Sequence, residues 1–257
     1  MQVFIFLLVV MNLIVQTDEW TPPEDPDPGS ILSEARADAQ TRQYSRALSK
    51  HVWFHEHALE IQPAQYGVRL SFALSYWIEL GEKYPPAIAK LKEIRDDAAK
   101  KVIAGKEVRE WFHDMEAINT NLGEDQNTVT IFKSLDKKQP EKAESVFGLA
   151  RPALVRAKEY EICGRYIAFE EALSSVIEQY QAGKKRVNDG VLSTSHMEYV
   201  TERFSREAAM LVALLAVNDR KGEAGEFAKL VRRELDDKSF HAALEKSLEG
   251  VVPAPWP

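Results

Sequence analysis

The sequence predicts an all-α fold of antiparallel helical hairpins, and three observations support this prediction. Residues that favour helices (Ala, Leu, Glu, Lys and Arg) dominate the chain, and no run of alternating β-branched residues indicates a strand. Glycine and proline are scarce, with 12 of each among 257 residues, and they cluster at a few breaks. The connections between the helical stretches are short, which places consecutive helices side by side and antiparallel.

The composition is that of a globular protein, with 45% hydrophobic and 28% charged residues. The net charge of −7 and the lack of a basic stripe in the sequence argue against a nucleic-acid partner. Cys163 is the only cysteine, which excludes an intrachain disulfide and a metal cluster held by several thiolates. We therefore expect Cys163 to be a small core residue, and we expect no cofactor.

The N-terminus differs from the rest of the chain. Residues 1–16 form an apolar segment, and residues 17–29 form an acidic, proline-rich linker. The apolar run over residues 3–15 is shorter than the roughly 20 residues that cross a bilayer, but it suits the core of a secretory signal. No Lys or Arg precedes it and no A-x-A cleavage site follows. We favour export or membrane association through residues 3–15; the alternative is a cytoplasmic protein that starts at Met11 or later.

Residues 30–250 are predicted to form a single helical-repeat domain, followed by a proline-rich tail over residues 251–257. Pro28, Gly29 and Ser30 provide the helix start signal. The first helical segment covers residues 31–61. Further helices are predicted over residues 65–80, 85–103, 107–122, 128–137, 141–166, 169–185, 195–217, 223–236 and 240–249.

Residues 35–63 are similar to one tetratricopeptide repeat. Ala35 and Ala39 stand where the first helix of the repeat needs small residues, residues 42–44 occupy the turn, and ALEIQP at residues 58–63 matches the usual ending. Ala47 and Ala58 are 11 positions apart where the family has 7, so the second helix carries about one extra turn. The resemblance extends over two units, residues 31–104, with a degenerate third unit to about residue 140.

The second unit contains the letters of the repeat's opening signature, W-x2-L-G-x2-Y, at residues 77–84. Pro85 and Pro86 follow at once, where the helix of the family continues, and proline disrupts a helix interior. We therefore interpret residues 81–84 as a turn and Pro85 as the start of the next helix.

The resemblance implies a right-handed α-α solenoid of the tetratricopeptide type. It also implies a non-catalytic scaffold or adaptor that binds a peptide or protein partner in a helical groove.

Three of the six histidines lie in HVWFHEH, residues 51–57. At 100° per residue, His51 and His55 point to the packed face of a helix, whereas His57 lies on the opposite side. An i, i+4 histidine pair suits a metal ion, but Val52 stands where zinc proteases require a glutamate. The alternative function is thus an α-helical metal-dependent enzyme that uses His51, His55 and a third ligand from another helix.

The better candidates for partner binding are Trp53, Glu56, His57 and Arg69. Trp53 is an aromatic residue among charges, which is typical of an interface anchor, although contact with a neighbouring helix would also explain it. Arg69 lies on an apolar helix face, where a charge requires a partner. It is either paired with a carboxylate inside the protein, which we favour, or directed into a groove to bind an anion.

Overall fold

The computed structural model describes residues 20–255, and all regular structure in this range is helical. The predicted all-α class is therefore confirmed. The helices are α1 (Pro28–Gln40), α2 (Tyr44–Ile61), α3 (Tyr66–Arg69), α4 (Phe72–Lys83), α5 (Pro85–Ile103), α6 (Val108–Leu122), α7 (Asp125–Lys138), α8 (Pro140–Arg156), α9 (Tyr160–Tyr166), α10 (Phe169–Asn188), α11 (His196–Val217), α12 (Lys221–Arg232) and α13 (Lys238–Leu248).

The chain divides into two compact units, a first that ends at Glu93 and a second that begins at Ile94. In the first unit, α1 and α2 form a hairpin and α4 packs against both of them. Leu32 of α1, Phe54 and Ala58 of α2 and Ala73 of α4 form a shared buried cluster. The predicted single domain over residues 30–250 stays a prediction.

Local sequence explains where the first hairpin begins and what joins its helices. The Asp27 carboxylate accepts a hydrogen bond from the Ser30 amide at 2.7 Å, and Pro28 follows as the first helical residue. Across the hairpin, Lys50 of α2 is only 1% exposed, and its ammonium lies 2.7 Å from a Glu34 oxygen and 2.8 Å from an Asp38 oxygen. Both carboxylates belong to α1, so this buried cation is compensated by the neighbouring helix.

The second unit is organised around α11. Residues 208–216 of this helix are all buried, and the helix contacts α9, α10, α12 and α13. A helix that is apolar on every side belongs in the interior of a core. Cys163 of α9 is completely buried, as predicted, and burial raises the pKa of its thiol to about 12.

Three predicted segments are interrupted, and the first of them, over residues 31–61, breaks between α1 and α2, next to the predicted turn at residues 42–44. The segment over residues 65–80 begins with a 3-10 turn, Pro63–Gln65, and breaks between α3 and α4. Gly67 weakens the helix here, and the Ser71 hydroxyl donates to the Gly67 carbonyl at 2.7 Å. The segment over residues 141–166 breaks between α8 and α9, where Lys158 takes a left-handed backbone conformation (φ 60°).

The predicted turn over residues 81–84 is shorter than expected, because α4 continues through Gly81 and ends at Lys83. Pro85 begins α5, as predicted. A Cβ atom on Gly81 would lie 2.3 Å from the Ile88 side chain. Gly81 therefore allows close helix packing rather than forming a turn.

No helix within residues 20–255 is both long enough and apolar enough to span a membrane. The apolar run over residues 3–15, on which the predicted export or membrane association depends, lies outside the described residues.

Candidate functional site

The three histidines of α2 point in the two directions that helical geometry predicts. His51 is 1% and His55 5% exposed, whereas the side chain of His57 is 45% exposed. The His51 ring stacks on Trp77 of α4 with ring centroids 5.6 Å apart, and His55 meets the same indole edge-on at 6.1 Å. Two imidazoles thus pack around one buried tryptophan.

The two buried imidazoles differ in their polar contacts. Both ring nitrogens of His51 are buried and have no hydrogen-bond partner among the described residues. Burial lowers the pKa of His51 to about 4, so its ring is neutral at physiological pH. The Nε2 atom of His55 lies 3.2 Å from an Arg69 nitrogen. Since a guanidinium can only donate, Nε2 of His55 is the acceptor.

Arg69 is buried beside α2, and its contacts include the backbone of that helix. Its Nε donates to the His55 carbonyl at 2.6 Å, in addition to the contact with the His55 ring. These bonds tie α3 to α2. The geometry thus gives Arg69 a structural contact inside the first unit.

Of the predicted pair of metal-binding histidines, His51 and His55, the second lies next to the guanidinium group of Arg69. Arg69 donates toward His55 Nε2, so the nitrogen that would bind a metal ion faces a guanidinium. Within residues 20–255, no group of three or more His, Cys, Asp and Glu side chains is arranged to hold a metal ion. Metal binding by His51 and His55 stays a prediction.

The exposed side of α2 is in contact with the N-terminal linker. Trp20 meets Trp53 edge-on with ring centroids 6.2 Å apart, and the Lys50 ammonium lies 5.8 Å from the Trp20 ring. On the same helix, His57 lies 5.7 Å from Trp53, between ring centroids. Trp53 therefore contacts the chain's own linker, a partner that sequence analysis missed although Trp20 is the only aromatic residue in that linker.

The neighbouring residues on the exposed side of α2 remain open to solvent. His57 Nδ1 lies 3.3 Å from a Glu60 carboxylate, and Glu56 is exposed. The linker is held a second time at its other end, where the Gln62 amide donates to Asp27 at 2.8 Å. The described part of the linker is therefore packed on the first unit at both of its ends.

A groove of about 350 Å³ lies between α1, α2 and α4. His51 forms part of its wall, which places the unpartnered imidazole at the groove. We call it the α1–α2–α4 groove. Its other principal residues are Arg36, Tyr44, Tyr76, Glu79 and Lys83.

The α1–α2–α4 groove offers charges of both signs that are not neutralised within the described structure. The Arg36 guanidinium lies 4.0 Å from the centre of the Tyr76 ring. Within residues 20–255, neither Arg36, Glu79 nor Lys83 makes an ion pair through its side chain. The sequence did not reveal the groove, because three separate helices each contribute a few of its residues.

Comparisons of the chain with protein-family models, with curated proteins and with solved structures found no match. The helices pack against their neighbours within each unit, which is compatible with a helical repeat. The resemblance to tetratricopeptide repeats and the right-handed solenoid stay predictions.

Proposed function

We propose that the chain is a non-catalytic helical scaffold or adaptor of the tetratricopeptide type, and that the α1–α2–α4 groove binds a segment of a peptide or protein partner. The observation that carries this proposal is that several charged and polar side chains of the groove have no ion-pair or hydrogen-bond partner among the described residues. Arg36, Glu79 and Lys83 have no ion-pair partner among the described residues, and His51, whose two buried ring nitrogens lack a hydrogen-bond partner there, forms part of the same wall. A partner segment with complementary charges would pair with these three side chains, and one that reaches the His51 ring would supply a hydrogen bond that it lacks.

The make-up of the groove also favours binding over catalysis. Among the described residues, its walls contain no Ser, Thr or Cys that could act as a hydroxyl or thiol nucleophile. Its two tyrosines provide flat, rigid contact area of the kind that is enriched at protein interfaces. One of them, Tyr44, is held by stacking on Tyr84, with ring centroids 6.0 Å apart.

The groove is a better site than the surface around Trp53, Glu56 and His57, which the sequence suggested. Trp20 already covers part of Trp53. Arg69, the fourth suggested residue, is engaged with the backbone of α2. We therefore assign Arg69 to the fold and keep the Trp53 surface as the competing location for a partner.

Charge-reversing substitutions test which of the two surfaces binds the partner. Glu79→Lys alters the groove, and Glu56→Lys is the matched control on the Trp53 surface; both residues are exposed, so both variants are expected to fold. The assay is affinity capture from native-host cells with quantitative mass spectrometry, using the full chain and circular dichroism to check folding.

We expect Glu79→Lys to deplete a specific captured protein by at least tenfold, the equivalent of about 1.4 kcal/mol, since like charges placed together at an interface cost that much or more. Glu56→Lys is expected to leave the captured protein unchanged. Depletion of the captured protein by Glu56→Lys alone would indicate that the partner binds at the Trp53 surface. If neither variant changes the captured proteins, the groove proposal is wrong.

A further inference from the structure

The second unit contains a cavity of about 280 Å³ between α10 and α11. Its walls are largely apolar: Val176 and Tyr180 come from α10, and Val200 and Phe204 come from α11. Tyr180 and Phe204 stack with ring centroids 4.2 Å apart, which fixes one wall. Leu192, from the loop between the two helices, also lines the space. We call this space the α10–α11 cavity.

The rim of the α10–α11 cavity carries an excess of positive charge. Among the described residues, the exposed Arg186 has no ion-pair or hydrogen-bond partner for its side chain. Arg203 donates at 2.9 Å to Gln179, a neutral amide. The carboxylate that lines the cavity, Glu207, is already paired with Arg151 of α8. Two guanidinium groups therefore face the cavity without a compensating anion.

We infer that the α10–α11 cavity binds a medium-chain carboxylate, with the apolar chain between the two helices and the carboxylate at Arg186 and Arg203. At about 30 Å³ per water molecule, the volume corresponds to about nine waters, or a ligand of about ten non-hydrogen atoms. Burial of the chain removes apolar surface from water, and a guanidinium matches a carboxylate in charge and in planar geometry. This inference does not depend on the proposed partner groove.

The test is isothermal titration calorimetry of the full-length protein with decanoate, and with decanol as the uncharged analogue. We expect saturable binding of one decanoate per chain. Arg186→Gln is expected to weaken decanoate binding by about fivefold, at the upper end for an exposed ion pair, and to leave decanol binding unchanged. The side chain of Arg186 is exposed and makes no hydrogen bond or ion pair within the described structure, and its backbone contacts are retained in Arg186→Gln, so we expect the variant to fold.

Lys185→Gln is the matched control. It removes the same charge from the adjacent position of α10, but Lys185 pairs with Asp189 and does not line the cavity. A second variant, Ala182→Leu, places a larger side chain at an exposed lining position and is expected to abolish binding of both ligands. Circular dichroism confirms that each variant is folded.

Three outcomes would overturn the inference. The first is the absence of saturable decanoate binding by the unmodified protein. The second is equal weakening by Lys185→Gln and Arg186→Gln, which would mean general attraction to a basic surface. The third is full binding by a folded Ala182→Leu variant, which would place the ligand elsewhere.

Discussion

The burial of His51 makes the stability of the first unit depend on pH in a defined direction. His51 is 1% exposed, neither of its ring nitrogens has a hydrogen-bond partner among the described residues, and its pKa is lowered to about 4 by burial alone. The unfolded chain therefore binds a proton at this residue at a higher pH than the folded chain does. Stability is retained above the unfolded pKa of about 6.5 and falls as the pH decreases toward 4.

The size of the effect follows from the difference between the two pKa values. A decrease from 6.5 to about 4 corresponds to about 3 kcal/mol once the pH is below both values. Between pH 7 and pH 5 the linkage relation gives a loss of about 2 kcal/mol. The side chain is almost completely buried, so solvent screening does not reduce this figure.

The variant that isolates this contribution is His51→Leu, which keeps an apolar side chain against Trp77 but cannot be protonated. Urea unfolding at pH 7 and at pH 5 gives the free energy of unfolding of both proteins. We expect the unmodified protein to lose about 2 kcal/mol more than His51→Leu over this range. Contributions from all other titrating groups cancel in the comparison.

Leu74→Ala is the control for a general sensitivity of weakened variants to acid. Leu74 is completely buried in α4, so its truncation costs about 2–5 kcal/mol at both pH values and leaves the pH-dependent difference unchanged. A His51 pKa near 6.5 by NMR titration, or equal losses for the unmodified protein and His51→Leu, would refute the reasoning.

Three further predictions concern other contacts. Lys50→Ala is expected to lower the free energy of unfolding by about 3 kcal/mol, because it removes a buried side chain and both of its ion pairs and leaves Asp38 with Arg46 alone. Glu34→Gln, at a half-exposed partner of Lys50, is expected to cost less than about 1 kcal/mol; similar costs of the two variants in urea unfolding would contradict this. Trp20→Ala is expected to cost about 1 kcal/mol and to make Trp53 more accessible to acrylamide quenching; unchanged quenching would show that the linker does not cover Trp53. Cys163 should not react with Ellman's reagent at pH 8 until denaturant is added, because its buried thiol is protonated; rapid reaction of the native protein would disprove its burial.

Sequence periodicity predicted the helices well where capping and apolar spacing agreed. The start of α5 at Pro85 followed from the rule that proline is tolerated in the first helical turn. The start signal at residues 28–30 located α1, which begins at Pro28, three residues before the predicted start at Ile31. The orientations of His51 and His55 followed from the 100° step between helical residues.

The prediction of helix boundaries was less accurate where one residue type can have two structural roles. Residues 81–84 were interpreted as a turn because Pro85 and Pro86 follow, but Gly81 lies inside α4 and makes room for Ile88. The break before Phe72 falls at Ser71, whose hydroxyl donates to the Gly67 carbonyl, and hydrophobic periodicity does not detect such a local contact.

Candidate sites were harder to predict than helices, because each depends on residues far apart in the chain. The sequence drew attention to Trp53 by its charged neighbours on α2, but its contact comes from Trp20 in the linker. Arg36 and Glu79 each resemble an ordinary solvent-facing charge when α1 and α4 are considered separately. They become a candidate site only when helix packing places them along one groove with His51.

His51 connects the stability of the first unit to the proposed partner binding. A buried polar group without a hydrogen bond costs about 1–3 kcal/mol, so the free protein contains an unfavourable feature that an apolar residue would remove. If the α1–α2–α4 groove binds a partner that reaches His51, then His51→Leu should leave stability at pH 7 equal or higher while it weakens the partner by about fivefold or more, the value of one net hydrogen bond. A purely structural histidine would show no such separation, because its replacement would leave partner capture unchanged. Measured together on one variant, the two quantities therefore distinguish a tolerated packing defect from a recognition group.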